Sequence, residues 1–126
     1  MCFYINSEHQ KVKIATEDII CYKLLDNDII DNSIIISPYQ YSIYFNSGNT
    51  HPVIKRVDAF SFSKYNSKEI ERGLHSYSSL DMAKKYSQFG YSIHKAIIPK
   101  GTQYYYNPAH NEYVSLKLKV WKKNLR

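Results

Sequence analysis

Residues 91–120, YSIHKAIIPKGTQYYYNPAHNEYVSLKLKV, decide the fold because they predict two strands of one antiparallel sheet. Apolar and β-branched residues are frequent in 92–98 and in 112–120, which is typical of strands. The Pro and Gly within 99–102 predict a turn that reverses the chain. A tyrosine-rich segment, 103–111, lies between the turn and the second strand and is expected to form a loop outside the sheet.

A helix is predicted immediately before this stretch, from Ser79 to Phe89, where apolar residues recur three or four positions apart. Ser78 or Ser79 can cap its first turn, and Asp81 lies where the helix dipole favours an anion. Gly90 suits the left-handed residue that ends many helices. The apolar side of this helix needs a sheet to cover, and the strands that follow it supply that sheet.

Shorter strands are predicted along the rest of the chain. They cover residues 19–25, 41–45, 53–62 and 72–77, with an edge strand at 1–5 and a fraying basic tail at 121–126. A length of 126 residues is typical of a single domain. The sequence therefore predicts an α+β fold in one domain, residues 1–126: a mostly antiparallel, twisted sheet covered by one main helix from Ser79 to Phe89.

Several classes of protein and site are disfavoured by composition and motifs. No apolar run approaches the roughly 20 residues that cross a bilayer, and no leader pattern follows Met1, so a soluble cytoplasmic protein is predicted. Cys2 and Cys21 form no CxxC pair and the five His are scattered, so no metal site is predicted. The chain contains no GxSxG, GxGxxG or P-loop motif.

The charge balance favours a polyanionic partner. The net charge is +6, and most of the 17 basic residues are Lys. This suits nucleic acid or a complex that carries it, although a solvated Lys-rich surface has the same composition. Arg is limited to Arg56, Arg72 and Arg126, and specific groove readers usually rely on Arg, so sequence-specific DNA binding is disfavoured.

Tyrosine and lysine are interleaved near the C-terminus, and they form the predicted partner-binding surface. Its members are Lys100, Tyr104, Tyr105, Tyr106, Lys117 and Lys119. Aromatic rings between lysines can stack on the bases of a single strand or anchor a protein interface. Alternatively, the rings fill a small core and only their hydroxyl groups reach the surface.

Several motifs together carry a resemblance to a set of small proteins. ICYKLL is followed by SPYQYSIYF, then by RGLHSYSSLDMAKKY, then by AIIPKGTQYYYNPAHNEYVSLKLKV. This order resembles uncharacterised phage and bacterial proteins with a YK strand, a GFHS-like strand before a helix and an IPKGTKYY…EYVS-type hairpin. The resemblance implies a phage-encoded or mobile-element-encoded protein that acts on a host defence complex, for example an anti-CRISPR inhibitor.

A more distant resemblance is to ADP-ribosyltransferase-like domains. It implies that Tyr22 or Lys23, together with His75, holds the nicotinamide and ribose of NAD. It also implies that Glu112 stabilises an oxocarbenium-like transition state. His110 occupies the position two residues before that Glu where arginine-directed transferases carry Glu or Gln, so the resemblance does not extend to that variant.

Three functions therefore follow from the sequence. The leading prediction is a non-enzymatic, basic binding protein without a cofactor, which acts as an inhibitor or adaptor on a larger host protein or protein–nucleic-acid complex. The first alternative is an NAD-dependent ADP-ribosyltransferase-like enzyme that uses Tyr22, His75 and Glu112. The second alternative is a protein that binds single-stranded RNA or DNA.

Overall fold

The computed structural model describes residues 3–5, 11–27, 34–37, 42–46, 48, 50–87 and 91–126. Within these residues the chain forms thirteen strands and one helix. They are β1 (Phe3–Tyr4), β2 (Lys13–Ile14), β3 (Ile19–Asn27), β4 (Ile35–Ile36), β5 (Ile43–Phe45), β6 (Val53–Arg56), β7 (Ser61–Phe62), β8 (Glu69–Arg72), β9 (Leu74–Tyr77), α1 (Leu80–Tyr86), β10 (Tyr91–Ile98), β11 (Gln103–Asn107), β12 (Glu112–Ser115) and β13 (Lys117–Asn124).

The α+β prediction is wrong, because strands make up 54% of the structure and the described helix has seven residues. Ser79 caps that helix as expected, since its side chain accepts a hydrogen bond from the Met82 N–H at 3.1 Å. The helix ends early because Ser87 adopts extended backbone geometry, with its N–H bonded to the Lys84 carbonyl. Phe89 and Gly90, the predicted end and stop, lie outside the described residues.

A large antiparallel sheet contains most of the strands, in the order β2-β11-β12-β9-β3-β10-β13-β6, with β4 and β5 attached beside β3. The strand predicted over 19–25 is confirmed as β3, at the centre of this sheet. It pairs with β10 without interruption, from Ile19 opposite Ile98 to Asp26 opposite Tyr91. This pair fixes which side chains of the central strands share a face, because neighbouring residues in a strand point to opposite faces.

The stretch that opened the sequence analysis contains three strands after the turn, where one strand and a loop were predicted. The turn over 99–102 is confirmed: the Thr102 N–H donates to the Pro99 carbonyl at 3.1 Å, and Gly101 has a φ of 87°. The tyrosine-rich loop is instead the strand β11, which pairs with β12. The strand predicted over 112–120 divides at Leu116 into β12 and β13, and β13 continues through the supposed fraying tail to Asn124.

Other predicted strands are divided in the same way. The 53–62 strand separates into β6 and β7, which belong to different sheets. The 72–77 strand begins only after Gly73, at the junction between β8 and β9. A Cβ atom at Gly73 would collide with Cγ2 of Val114, so this position brings the backbone too close to β12 for any other residue.

One face of the large sheet carries the main core. Its fully buried side chains include Cys21, Leu25, Ala96, Ile98, Leu118 and Val120, covered by Tyr44 and Phe45 of β5. The opposite face is covered in two places. Helix α1 packs on Leu24, Tyr77 and Ile93, and a small sheet of order β1-β8-β7 packs Phe3 and Ile70 against Val114.

Candidate functional site

His75 and Glu112, two residues of the predicted transferase site, lie in contact. Strands β9 and β12 pair so that Val114 faces His75 and Glu112 faces Tyr77, which places both side chains on one face of the sheet. His75 Nδ1 lies 3.1 Å from Glu112 Oε1. A carboxylate oxygen accepts hydrogen bonds. Nδ1 of His75 therefore carries the hydrogen of the imidazole ring and donates a hydrogen bond to Glu112.

Tyr22 and Lys23, the two candidates on β3 for holding NAD, have different surroundings. Tyr22 pairs with Tyr77 across the junction between β3 and β9 and is half-buried against the helix side of the sheet. Lys23 is buried, and its ammonium group donates to the His75 carbonyl at 2.8 Å. A hydrogen bond therefore joins Lys23 to the backbone of His75, whereas Tyr22 lies on the same face of the sheet as the His75 and Glu112 side chains.

Burial dominates the electrostatics of this cluster. Desolvation lowers the pKa of Lys23 to about 8, and the nearby Cys21 and Glu112 oppose that change. Desolvation also lowers the pKa of His75, while its hydrogen bond to Glu112 acts in the opposite direction. At neutral pH the imidazole is accordingly neutral, and Glu112 acts as a counter-charge to the Lys23 ammonium.

The small sheet covers His75, whereas Lys23 leaves β3 on the core face, where its ammonium group lies 5.7 Å from the centroid of the Tyr44 ring. Phe3 packs edge-on against the His75 ring, with centroids 6.3 Å apart. Glu112 is 2% exposed and Lys23 is 3% exposed. Ligand sites are concave and reach solvent, so this burial favours a stabilising role for the cluster over contact with NAD.

The predicted tyrosines pack against other aromatic rings. Tyr104 and Tyr106 flank Tyr113, with centroid distances of 5.8 and 4.8 Å. Tyr105 points to the opposite face, where its ring lies edge-on to Phe60 at 5.1 Å. All three predicted tyrosines are half-buried. The structure therefore separates them from the predicted lysines and favours the packing interpretation.

Two of the predicted lysines, Lys117 and Lys119, belong to a different surface, which we call the open face, and Lys100 lies in the turn at one end of it. The open face is the part of the helix-bearing face over β3, β10, β13 and β6 that no described element covers. Its residues are Ile20, Ile54, Arg56, Lys95, Ile97, Lys117, Lys119 and Trp121. Ile20 and Ile54 are 55% and 57% exposed, whereas Leu118 and Val120 on the other face are fully buried.

Trp121 lies near the middle of the open face between two lysines. The ammonium groups of Lys95 and Lys119 lie 5.2 and 5.3 Å from the indole centroid. Cation–π attraction of this kind holds both ammonium groups over the ring. Trp121 was not among the predicted site residues because residues 121–126 were expected to fray, although the alternation KLKVW already continues the strand pattern.

Trp121 lies at the start of a β-bulge in β13. Between the pairs Ala96–Val120 and His94–Asn124, residues 121–123 of β13 face the single residue Lys95 of β10. Bulges re-aim side chains in this way. The buried His94 stabilises the bulge, since its Nδ1 donates to the Trp121 carbonyl at 2.8 Å and its Nε2 lies 2.6 Å from the Ser92 hydroxyl.

The open face is positively charged throughout. Its four cations are Arg56, Lys95, Lys117 and Lys119, and no Asp or Glu is among its residues. None of these cations forms an ion pair with another described residue; the salt bridge between described side chains is that of His75 with Glu112. At one end, Arg56 and Lys117 also line a groove of about 430 Å³ together with Lys100.

The described residues offer neither a cluster of metal ligands nor a membrane-spanning helix. They contain no group of three or more His, Cys, Asp or Glu side chains placed to hold a metal ion. Likewise, the described helix is too short and too polar to cross a membrane.

Comparison with known proteins gave no match to a family model, to a curated protein or to a solved structure. The resemblance to small phage and bacterial proteins therefore stays a prediction.

The buried cluster can be tested by removing its charges. We expect Lys23→Met to lower the free energy of unfolding by roughly 3 kcal/mol, because the His75 carbonyl loses its donor and Glu112 its counter-charge. The double variant Lys23→Met, Glu112→Gln should lose less than the sum of the two single variants. Urea denaturation of the four proteins measures this coupling. Losses that add to within about 0.5 kcal/mol would contradict the interaction.

The buried histidines predict a loss of stability in mild acid. Burial lowers the pKa of His75 and of His94 below the ordinary value of 6.5. The unfolded chain therefore binds protons below pH 6.5 that the folded chain resists, so the free energy of unfolding should fall as the pH drops from 6.5 to 5. Urea midpoints across this range measure the slope. This slope should be smaller in His75→Asn; a flat profile of the parent protein contradicts the prediction.

Proposed function

We propose that the protein binds single-stranded nucleic acid through the open face and catalyses no reaction. The observation that carries this proposal is the position of Trp121 between Lys95 and Lys119, on a part of the sheet that no described element covers and whose described residues include no Asp or Glu. A stacking surface surrounded by cations is what a flexible, negatively charged strand requires.

The two parts of a nucleotide find different partners on this face. Bases can stack on the indole of Trp121 and lie against the exposed Ile20 and Ile54. Phosphates can pair with the cations, of which Lys117 and Lys119 are two residues apart on β13 and therefore about 7 Å from each other. The cations have no carboxylate partners among the described residues, so phosphate binding breaks no ion pair within this part of the chain.

A single strand fits this surface better than a duplex does. Groove readers insert a protruding helix or ribbon between the backbones of a duplex. Helix α1 has seven residues and packs against the sheet, with Ala83 at its buried centre. The open face instead presents ring and methyl surfaces from four adjacent strands, which accessible bases can cover.

The geometry bears differently on the other two predicted functions. An inhibitor or adaptor on a larger host complex can use the same face if that complex carries RNA or DNA, and co-purification with and without nuclease tests this prediction. The transferase prediction gains no support from the geometry, since Glu112 and His75 are buried beneath Phe3.

The charge of the open face can be tested with a matched control. We expect the parent protein to bind a short oligothymidylate or oligouridylate with a log–log salt slope of about −3, since each of four phosphate contacts contributes about −0.7. The variant Lys95→Glu, Lys119→Glu should bind at least about tenfold more weakly and show a shallower slope. Fluorescence anisotropy of a labelled oligonucleotide measures both quantities.

The control variant is Lys64→Glu, Lys68→Glu, which makes the same change of charge at exposed positions on the small-sheet side of the molecule. It should keep the affinity of the parent. If both variants lose affinity equally, net charge rather than the open face accounts for binding. If the parent binds neither oligonucleotide, the proposed function is wrong.

Stacking is tested separately at Trp121. We expect Trp121→Ala to weaken binding by about 1–3 kcal/mol, because base stacking on an aromatic ring has that magnitude, while the salt slope stays unchanged. Trp121→Phe should keep most of the affinity. A variant Trp121→Ala that binds as well as the parent would show that bases do not contact the indole.

A further inference from the structure

We propose that the groove at the end of the open face binds a terminal phosphate of the nucleic-acid strand. This inference rests on the proposed function and adds to it a preference for a phosphorylated end. The groove has a volume of about 430 Å³, and the polar side chains that line it are those of Arg56, Asp58, Lys100, Thr102, Gln103 and Lys117. Arg56 and Lys117 belong to the open face as well, so the two surfaces are continuous.

Backbone hydrogen bonds hold the walls of this groove in place. On one side, the Lys100 N–H donates to Asp18 Oδ1 at 2.9 Å and the Gly101 N–H donates to the Ala15 carbonyl at 2.8 Å. On the other side, Arg56 is paired with Lys117 between β6 and β13. The side chains of the groove therefore extend from a fixed frame, which reduces the entropic cost of binding.

Leu116 connects the two walls. Its N–H donates to the Gln103 carbonyl at 3.1 Å, and its carbonyl accepts from the Val57 N–H at 2.9 Å. These backbone groups are satisfied within the protein, so a ligand in the groove is recognised chiefly by side chains.

The charge of the groove matches a phosphate monoester. Three cations and one carboxylate, that of Asp58, give a net charge of +2. A terminal phosphate carries about −1.5 to −2 at pH 7, whereas an internal phosphodiester carries −1. None of the three cations is paired with a carboxylate among the described residues. The match therefore favours a strand end over the middle of a strand.

The chemistry of the lining side chains supports the same ligand. Arg56 presents a planar guanidinium that can donate two parallel hydrogen bonds to a phosphate, and Lys100 and Lys117 add point charges. The Thr102 hydroxyl and the Gln103 carboxamide are further donors. A terminal phosphate has three outer oxygens to accept from these groups, whereas an internal phosphate has two.

The position of the groove explains why a bound nucleic-acid strand would end there. Lys100 lies in the turn that follows the last residue of β10, beyond the end of this central strand. A nucleic-acid strand that runs along β13 from Trp121 toward Lys117 crosses about 13 Å of the sheet before it reaches this turn. This length corresponds to four residues of β13 at about 3.3 Å each. The terminal phosphate of the nucleic-acid strand then meets Arg56, Lys100 and Lys117 together.

The experiment compares three forms of one oligonucleotide: one with a 5′-phosphate, one with a 3′-phosphate and one with hydroxyl groups at both ends. We expect one phosphorylated form to bind about tenfold more tightly than the hydroxyl form, and the two arms show which end enters the groove. Lys100→Gln should bring this affinity ratio close to one. Lys64→Gln, at an exposed position outside the groove, should leave the ratio unchanged. Thermal unfolding confirms that both variants remain folded.

The outcomes separate this inference from the proposed function. If no form binds, the proposed function fails and the terminal site fails with it. If all three forms bind equally well, the open face stands as a binding surface and the terminal site is wrong. If Lys100→Gln keeps the full preference for a phosphorylated end, the groove is not where that phosphate binds.

Discussion

The large sheet depends on a narrow junction between β3 and β9. These two strands share a single residue pair, Tyr22 with Tyr77, where the neighbouring pair of β3 and β10 extends over eight. Beyond that pair the strands separate, and the Lys23 ammonium group donates to the His75 carbonyl. A buried carbonyl without a donor is costly, so a lysine side chain takes over part of the role of a ladder hydrogen bond. Glu112 in turn supplies the charge that makes a buried ammonium tolerable.

This junction divides the sheet into halves with different surroundings. The half that contains β9, β12 and β11 lies beneath the small sheet, where Phe3 packs on His75 and Glu112 is buried. The half that contains β10, β13 and β6 is covered by described residues on its core face but not on its open face. Among the described residues, His75 and Glu112 therefore lie in the covered half, whereas the open face lies on the other side of the junction.

The sequence predicts what depends on neighbours along the chain. The strand at β3, the turn at Gly101 and the cap at Ser79 each follow from local composition, and all three are present. The helix length and the packing of Tyr104, Tyr105 and Tyr106 depend on contacts between distant segments, since an alternating tyrosine has the same pattern whether it faces a core or solvent. Trp121 is a different case: the local alternation KLKVW extends the strand to it, whereas the bulge that begins there depends on His94, 27 residues away in sequence.

The cations of the open face have an alternative physical explanation, which the topology limits. Lysine and arginine on edge strands prevent pairing with other chains, and β6 is the last strand of the large sheet. Edge protection can account for Arg56, but it cannot account for Lys95, because β10 lies between β3 and β13 with both neighbours paired. Nor does edge protection account for Trp121, whose ring adds apolar area to a face that no described element covers. Exposed apolar patches bordered by charge are typical of binding surfaces, and a lysine at a central strand contributes to such a surface without protecting any edge.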